Sequence, residues 1–188
     1  MCHEEEAALV GRCTQPGVCG AAAELTLEQM DALDYVEACA HETMRLKPVA
    51  PIIGLQAVQD TVIGDVQVGA GTVVINAMRR DSVSERVIAN AAAFDPGRWL
   101  AEGKSAHMAR MAQSAKRVSM PFGAGPRICP GRYLALLEMK AAMAMLLGRF
   151  EIEAVDTADG AEPRELMKFT LTPVGLRMRL RERGRRVI

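Results

Sequence analysis

The stretch that decides the fold of this 188-residue chain is Phe122-Gly123-Ala124-Gly125-Pro126-Arg127-Ile128-Cys129-Pro130-Gly131. Its two inner glycines and its proline predict a tight, irregular turn in which backbone can approach a bound group closely. Cys129 comes just before a predicted helix, whose free N–H groups and dipole favour a thiolate over a thiol. Arg127 adds a fixed cation that can pair with a carboxylate, and Gly131 leaves room for a flat surface over the helix start.

This combination of residues suits a haem iron. A thiolate held among backbone N–H groups, beside an arginine and under a planar cofactor, has the properties of a fifth ligand to that metal. A single cysteine is more often a buried, inert side chain, and Gly123-x-Gly125 lacks the third glycine of a dinucleotide fingerprint. The full pattern Phe-x-x-Gly-x-Arg-x-Cys-x-Gly is more specific, because its chance occurrence in such a chain is on the order of 10⁻⁵.

The sequence here resembles the cytochrome P450 family, the haem-thiolate monooxygenases, whose haem-binding signature it matches at Phe122, Gly125, Arg127, Cys129 and Gly131. The resemblance implies a haem cofactor (iron protoporphyrin) with the Cys129 thiolate as axial metal ligand. It also implies that Arg127 contacts a haem propionate and that Phe122 packs against the cysteine loop.

Two further motifs extend the resemblance. Glu42-Thr43-Met44-Arg45 matches the family's Glu-x-x-Arg, a spacing that is common on solvated helices and puts both side chains on one helix face. Phe94-Asp95-Pro96-Gly97-Arg98-Trp99 resembles the family's Phe-x-Pro-x-Arg-aromatic segment, with Gly97 in place of the usual acid. By resemblance, Glu42, Arg45 and Arg98 form a structural cluster behind the haem. Because two guanidiniums on one carboxylate leave an extra buried cation, we expect the cluster to bond backbone carbonyls as well.

The sequence also departs from the family pattern. Leu55 stands near the position where many members carry an arginine that reaches the second propionate. Arg79, in Ala77-Met78-Arg79-Arg80-Asp81, stands where many members have a histidine, and it is a candidate cofactor-binding cation or else an exposed arginine. No segment matches the family's central helix, in which an acid and an alcohol deliver protons to bound oxygen. We therefore identify no catalytic residue in this chain.

The predicted fold class is mainly α with small β-sheets and hairpins (α+β), corresponding to the C-terminal part of the cytochrome P450 fold without its central distal helix. We predict a single partial domain with this order of segments: short helices over 1–33, the Glu-x-x-Arg helix over 34–47, a small β region over 48–80, a loop over 81–132 that contains the Arg98 segment and the cysteine loop, a buried helix over 133–148, and a C-terminal β-hairpin region over 149–188.

Several local signals refine these segments. Capping boxes are predicted at Thr26/Gln29 and Asp34/Glu37. A hairpin is predicted around Gly64-Asp65, with a third strand over 72–76. Gly148 is predicted to end its helix in a left-handed conformation. The same reasoning predicts a short helix over 4–11, an exposed loop with some helix over 101–120, and a last hairpin that pairs 168–171 with 175–180.

The charge distribution is uneven. Equal numbers of basic and acidic residues, 23 of each, exclude a globally basic nucleic-acid binder. Residues 1–102 nevertheless carry a net charge of −8 and residues 103–188 a net charge of +8. The stretch 103–137 has no acid and six cations: Lys104, Arg110, Lys116, Arg117, Arg127 and Arg132. By resemblance this stretch surrounds the proximal face, which predicts docking of an acidic ferredoxin or flavodoxin-like electron donor; a solvated basic loop is the alternative.

The cysteines and the termini bear on the compartment. Five cysteines without a Cys-x-x-Cys spacing argue against a disulfide framework, and a zinc site drawn from Cys2, His3, Cys13 and Cys19 fits no standard spacing. The acidic start does not resemble a secretory signal. The most apolar stretch, 134–147, is too short for a membrane span. We therefore expect a cytoplasmic protein.

The resemblance implies a haem-binding, thiolate-ligated monooxygenase, or its C-terminal fragment, that inserts one atom of dioxygen into a small hydrophobic substrate with electrons from a redox partner. By resemblance, residues 49–55 and the turn at 172–175 line the substrate pocket, although both could simply be core. The alternatives are an inactive truncated haem-binding remnant and one half of a split oxygenase.

Overall fold

The computed structural model describes residues 26–100 and 115–183 and has the mixed fold class that the sequence predicts. Its helices are α1 (Leu27–Asp31), α2 (Asp34–Leu46), α3 (Met78–Ser82) and α4 (Arg132–Arg149), with 3-10 turns at Pro96–Trp99 and Gly125–Arg127 and a helical segment at 115–118. Its strands are β1 (Ile53–Gln56), β2 (Thr61–Ile63), β3 (Val66–Val68), β4 (Val73–Asn76), β5 (Phe150–Thr157), β6 (Arg164–Met167), β7 (Leu171–Val174) and β8 (Leu176–Glu182).

The strands form four two-stranded antiparallel sheets, β1–β4, β2–β3, β5–β8 and β6–β7. The β2–β3 hairpin is confirmed, with Gly64 at a φ of 64° in its turn, a conformation that glycine adopts without strain. The predicted third strand also exists as β4. It pairs with β1, a strand inside the predicted β region over 48–80, and not with the hairpin.

The predicted C-terminal hairpin is wrong in its pairing. Arg164–Met167 pairs with Leu171–Val174, and Leu176–Glu182 pairs with β5. Gly175, at a φ of 81°, lies between β7 and β8. It turns the chain out of the short hairpin and into the longer ladder along β5, which offers more backbone hydrogen bonds than a hairpin around Pro173.

The two capping boxes have different outcomes. The first is confirmed, since Thr26 Oγ1 accepts from Gln29 N at 3.3 Å and Gln29 Oε1 accepts from Thr26 N at 2.9 Å. The second is wrong, because Leu33 occupies the N-cap of α2 without a side-chain hydrogen bond. Leu33 is buried against Val36, Ala144 and Leu147, so apolar packing sets the start of α2.

Helix α4 is longer and more exposed than predicted. Only Lys140, Ala144 and Leu147 are buried along it, because the other described residues pack against only one face of the helix. Tyr133 and Leu134 are 69% and 59% exposed. Gly148 does not end the helix, which continues to Arg149 and passes directly into β5. No helix among the described residues is both long and apolar enough to cross a membrane.

A second small core joins the segment before the cysteine loop to the middle of the chain. Ile88, Ala91 and Ala115 are fully or almost fully buried, and Trp99 and Val118 pack against them. The loop predicted over 101–120 contains helix at 115–118, as expected, but it is not exposed at Ala115 and Ser119, which are buried. Residues 101–114 of that loop, the predicted helix over 4–11 and the residues of the conjectured zinc site lie outside the described residues.

Candidate functional site

The Glu-x-x-Arg residues lie on one face of α2 as a fully buried ion pair. Arg45 donates from Nε to Glu42 Oε2 and from Nη2 to Glu42 Oε1, each at 2.8 Å. Neither side chain has any solvent exposure. A fork-to-fork pair of this kind fixes both position and orientation, which a single point contact does not.

Arg98 joins this pair from the 3-10 turn Pro96–Trp99. Its Nε lies 3.3 Å from Glu42 Oε1, and its side chain is 2% exposed. The structure thus brings together the three residues of the predicted cluster. We refer to Glu42, Arg45 and Arg98 as the arginine cluster.

The arginine cluster contains one carboxylate for two guanidiniums, and backbone carbonyls supply the remaining acceptors. Arg45 donates to Ser82 O at 2.6 Å, Ala91 O at 2.7 Å and Ala93 O at 3.0 Å, and Arg98 donates to Ala89 O and Asn90 O at 2.9 Å each. One of these five carbonyls belongs to Ser82, the last residue of α3, and the other four belong to the irregular chain over 89–93. The cluster therefore holds this segment, which has few regular hydrogen bonds of its own.

Two donors that the sequence analysis did not assign complete the shell of Glu42. Asp95 N donates to Glu42 Oε1 and Trp99 Nε1 to Glu42 Oε2, both at 2.9 Å. The sequence could have indicated Trp99 as one of these donors, because it is the aromatic residue at the end of the Arg98 motif. Burial acts to raise the pKa of Glu42, but the hydrogen bonds from Arg45, Asp95 and Trp99 outweigh it and hold that pKa below its ordinary value.

The cysteine loop is closed on itself. Cys129 N donates to Phe122 O at 2.8 Å, and Ile128 N donates to Gly125 O at 3.2 Å. Gly123 and Gly125 have φ values of 74° and 63°, so both turns use conformations that side chains rarely adopt. The backbone of the loop thus presents Cys129, which is exposed, three residues before the first residue of α4.

The residues of this loop fit a flat, apolar group that carries negative charge. Arg127 is exposed and forms no ion pair with any carboxylate of the described residues. A Cβ added to Gly131 would lie 3.8 Å from Cys129 Sγ, so its absence keeps the space beside the sulfur open. The neighbouring residues Ile128, Tyr133 and Leu134 are also exposed and provide apolar surface close to Cys129 in the sequence. No group of three or more His, Cys, Asp or Glu residues gathers elsewhere in the described parts as a metal cluster would require.

Part of the cysteine loop, residues 122–125 and Ile128, lines a cleft of about 990 Å³. No residue of the arginine cluster lines this cleft. Its walls include His41 of α2, Trp99, Phe122 and the first turn of α4. Ser82 Oγ approaches Val118 O at 3.5 Å, which ties the chain before the cysteine loop to the segment that the cluster holds.

Arg79 has a protein partner in the structure. Its guanidinium binds Glu165 of β6 through Nη1 at 2.5 Å and Nη2 at 3.2 Å, and Lys47 contacts the same carboxylate. These hydrogen bonds lower the pKa of Glu165 to about 2. Leu55 lies exposed on β1.

Comparison with known proteins assigns the family. A sequence model described as Cytochrome P450 matches residues 2–180. The chain belongs to the cytochrome P450 family. Membership implies a haem cofactor, with which the open, cation-bearing cysteine loop is compatible.

Three similar proteins illustrate the match. The steroid 17-alpha-hydroxylase/17,20 lyase of Squalus acanthias is 30% identical over 152 residues, which are 80% of this chain and 29% of that protein. Cytochrome P450 4d10 of Drosophila mettleri is 28% identical over 186 residues, 96% of this chain and 33% of that protein. The crystal structure of a cytochrome P450, CYP102L1, superposes with a TM-score of 0.74 at 30% identity, covering 96% of this chain and 38% of that one. The chain spans about a third of the length of the curated relatives it matches.

Proposed function

We propose that this chain is the haem-ligating part of a cytochrome P450 monooxygenase and that Cys129 is its axial ligand. The observation that carries the proposal is an exposed thiol on a self-closed loop, two residues from an arginine that no described carboxylate neutralises. When bound, the haem supplies the iron at which dioxygen is activated, so that one oxygen atom enters an organic substrate.

The residues of the loop divide the binding work. Cys129 supplies the thiolate. The hydrogen bond from its backbone N to Phe122 O holds the residue in a fixed position in the loop. Arg127 pairs with a propionate, and Gly131 leaves the space for the macrocycle. The arginine cluster acts at a distance, since it fixes the chain over 82–93 on which the segment before the loop packs.

Arg79 is proposed to bind the second haem propionate, and Glu165 competes with that propionate for Arg79. Its two contacts to Glu165 have to open before it can bind a propionate. Glu165→Gln therefore strengthens haem binding if Arg79 takes this role, and leaves haem binding unchanged if the Arg79–Glu165 pair only joins β6 to α3.

The whole enzyme is proposed to act on a hydrophobic substrate and to receive electrons from an acidic protein. Val49, Ile52 and Leu55, in the segment assigned to the substrate pocket by resemblance, are each about half exposed and offer an apolar surface. Lys116 and Arg117 are exposed on the segment that leads to the cysteine loop and suit an acidic ferredoxin or flavodoxin-like donor. Raising the ionic strength should slow electron transfer, and a rate independent of salt would contradict electrostatic docking.

The second candidate is a haem-binding chain that does not catalyse by itself, either a remnant or one half of a split oxygenase. The exposed apolar face of α4, with Tyr133, Leu134 and Met145, favours it. The experiment loads the chain with haem and measures both the reduced carbon monoxide spectrum and incorporation of labelled dioxygen into a hydrophobic substrate. A thiolate-type spectrum with turnover supports the oxygenase, and the same spectrum without turnover supports the second candidate. Absence of the thiolate spectrum contradicts both.

A further inference from the structure

The side chains of His41 and Trp99 stack beside the arginine cluster. Their ring centroids are 4.9 Å apart and their planes differ by 20°. The same indole donates from Nε1 to Glu42 Oε2 at 2.9 Å. Trp99 thus lies between an imidazole and the carboxylate that holds both arginines, whereas none of the motifs discussed above gives His41 a role.

The surroundings of His41 favour a neutral ring. Its Nδ1 is buried without a hydrogen-bond partner among the described residues, and its Nε2 lies 3.8 Å from Glu37 Oε1, beyond hydrogen-bond distance. The charged groups that act on it are Glu37 on α2, Lys116 on the segment 115–118 and Lys140 on α4. Burial lowers the pKa of His41, Glu37 opposes this and the two lysines reinforce it. The imidazole therefore contributes chiefly through its ring face.

Trp99 is connected to the cysteine loop through a shared core and the chain that follows it. Trp99 packs on the core of Ile88, Ala91 and Ala115, and Val118 closes the same core. Four residues further along the chain, the carbonyl of Phe122 accepts the hydrogen bond from Cys129 N. A tilt of the indole would thus disturb both its bond to Glu42 and the packing of the segment that carries Phe122.

We propose that His41 and Trp99 are positioning residues for the cysteine loop: the stack holds the indole N–H on Glu42 and the indole ring on the segment 115–118, and so fixes the Phe122–Cys129 hydrogen bond. The haem readout of this proposal rests on the proposed function. The backbone readout does not, because hydrogen–deuterium exchange at an amide can be measured without a bound cofactor.

Hydrogen–deuterium exchange at the Cys129 amide tests the proposal in the full chain. Trp99→Phe keeps an aromatic ring and removes the N–H, whereas His41→Ala removes the stack. Each should lower protection at Cys129 by about tenfold, the effect of losing one hydrogen bond to a buried charged group. His41→Phe preserves the stack and should restore the protection. Because His41 acts through the ring at position 99, the loss of protection in the double variant His41→Ala/Trp99→Phe should be smaller than the sum of the two single losses.

Two controls separate positioning from general destabilisation. The amide of Ala57, which donates to Thr72 O at 2.9 Å and does not belong to the core on which Trp99 packs, should keep its protection in every variant. Phe169→Leu changes an aromatic side chain that is 97% exposed, and should leave Cys129 unaffected. Equal losses at Ala57 and Cys129, additive losses in the double variant, or no rescue by His41→Phe would each overturn the proposal.

The haem-loaded variants supply the spectroscopic readout. The fraction of reduced carbon monoxide complex with a thiolate-type band should fall in His41→Ala and Trp99→Phe and recover in His41→Phe. A wild-type chain without this band contradicts the proposed function alone, since the exchange measurement still decides the role of the stack. Where the wild type shows the band, a thiolate fraction identical in all variants overturns the positioning role.

Discussion

Glu42 accepts two hydrogen bonds of 2.8 Å from Arg45 at a place where neither side chain reaches solvent. This pair and Arg98 are buried with an excess of positive charge. The arrangement is tolerated because five backbone carbonyls of 82–93 accept the remaining N–H groups. Removing the carboxylate of Glu42 should therefore lower the free energy of unfolding more than removing a carboxylate at the surface.

Glu42→Gln should lower the free energy of unfolding by about 3–5 kcal/mol, because it leaves buried guanidinium charge without its counter-ion. Chemical denaturation measures this change. Glu165→Gln is the matched control, since it also removes a carboxylate that binds an arginine and a second cation, but at an exposed site. Equal effects of the two substitutions would contradict the structural role of the arginine cluster.

His41 should make the stability of the chain pH-dependent in a defined window. Its pKa is lowered by folding, so the unfolded state binds more protons and stability falls as the pH drops below about 6.5 towards the folded pKa. Denaturation curves between pH 5 and pH 8 should show this loss in the wild type and a flatter profile in His41→Phe. Identical slopes would mean that His41 titrates as it does in the unfolded chain.

Glu42 contributes in a separate, more acidic window. Because its folded pKa lies below the ordinary value of 4.5, its contribution is present above that pH and is lost as the pH falls through the folded pKa. The acid limb of the stability profile should therefore persist in His41→Phe and change in Glu42→Gln. An acid limb that is unchanged in Glu42→Gln would contradict the hydrogen-bonded carboxylate described above.

Gly131→Ala should separate folding from cofactor binding. The added Cβ would lie 3.8 Å from Cys129 Sγ, an ordinary contact, so the melting temperature of the haem-free chain should be nearly unchanged. The methyl group would nevertheless occupy the space proposed for the macrocycle, and haem titration should show weaker binding. Unaltered haem affinity would mean that the macrocycle does not lie over Gly131.

The features that the sequence predicted well are those in which local chemistry and final structure agree. The β2–β3 hairpin follows from Gly64-Asp65, because the turn demands a positive φ that glycine supplies. The carbonyl acceptors around Arg45 and Arg98 follow from charge balance, although their identity does not. Trp99 could have been assigned as a donor, since a half-buried indole usually finds an acceptor.

The features that it predicted poorly depend on distant partners. The Asp34/Glu37 box fails because Leu33 is fixed by α4, more than a hundred residues away. The last strands were paired wrongly because β8 has a longer partner in β5 than in its sequence neighbour. The apolar pattern of α4 predicts burial on all sides, yet the described residues supply contacts for one face only.

The central claim is that Cys129 is the haem ligand, and the reduced carbon monoxide complex of the haem-loaded chain tests it most directly. The account predicts a strongly red-shifted thiolate Soret band in the wild type, its loss in Cys129→Ser, and its retention in Cys39→Ser and Cys13→Ser. A histidine-like band in the wild type, or a thiolate band that survives in Cys129→Ser, would contradict the account.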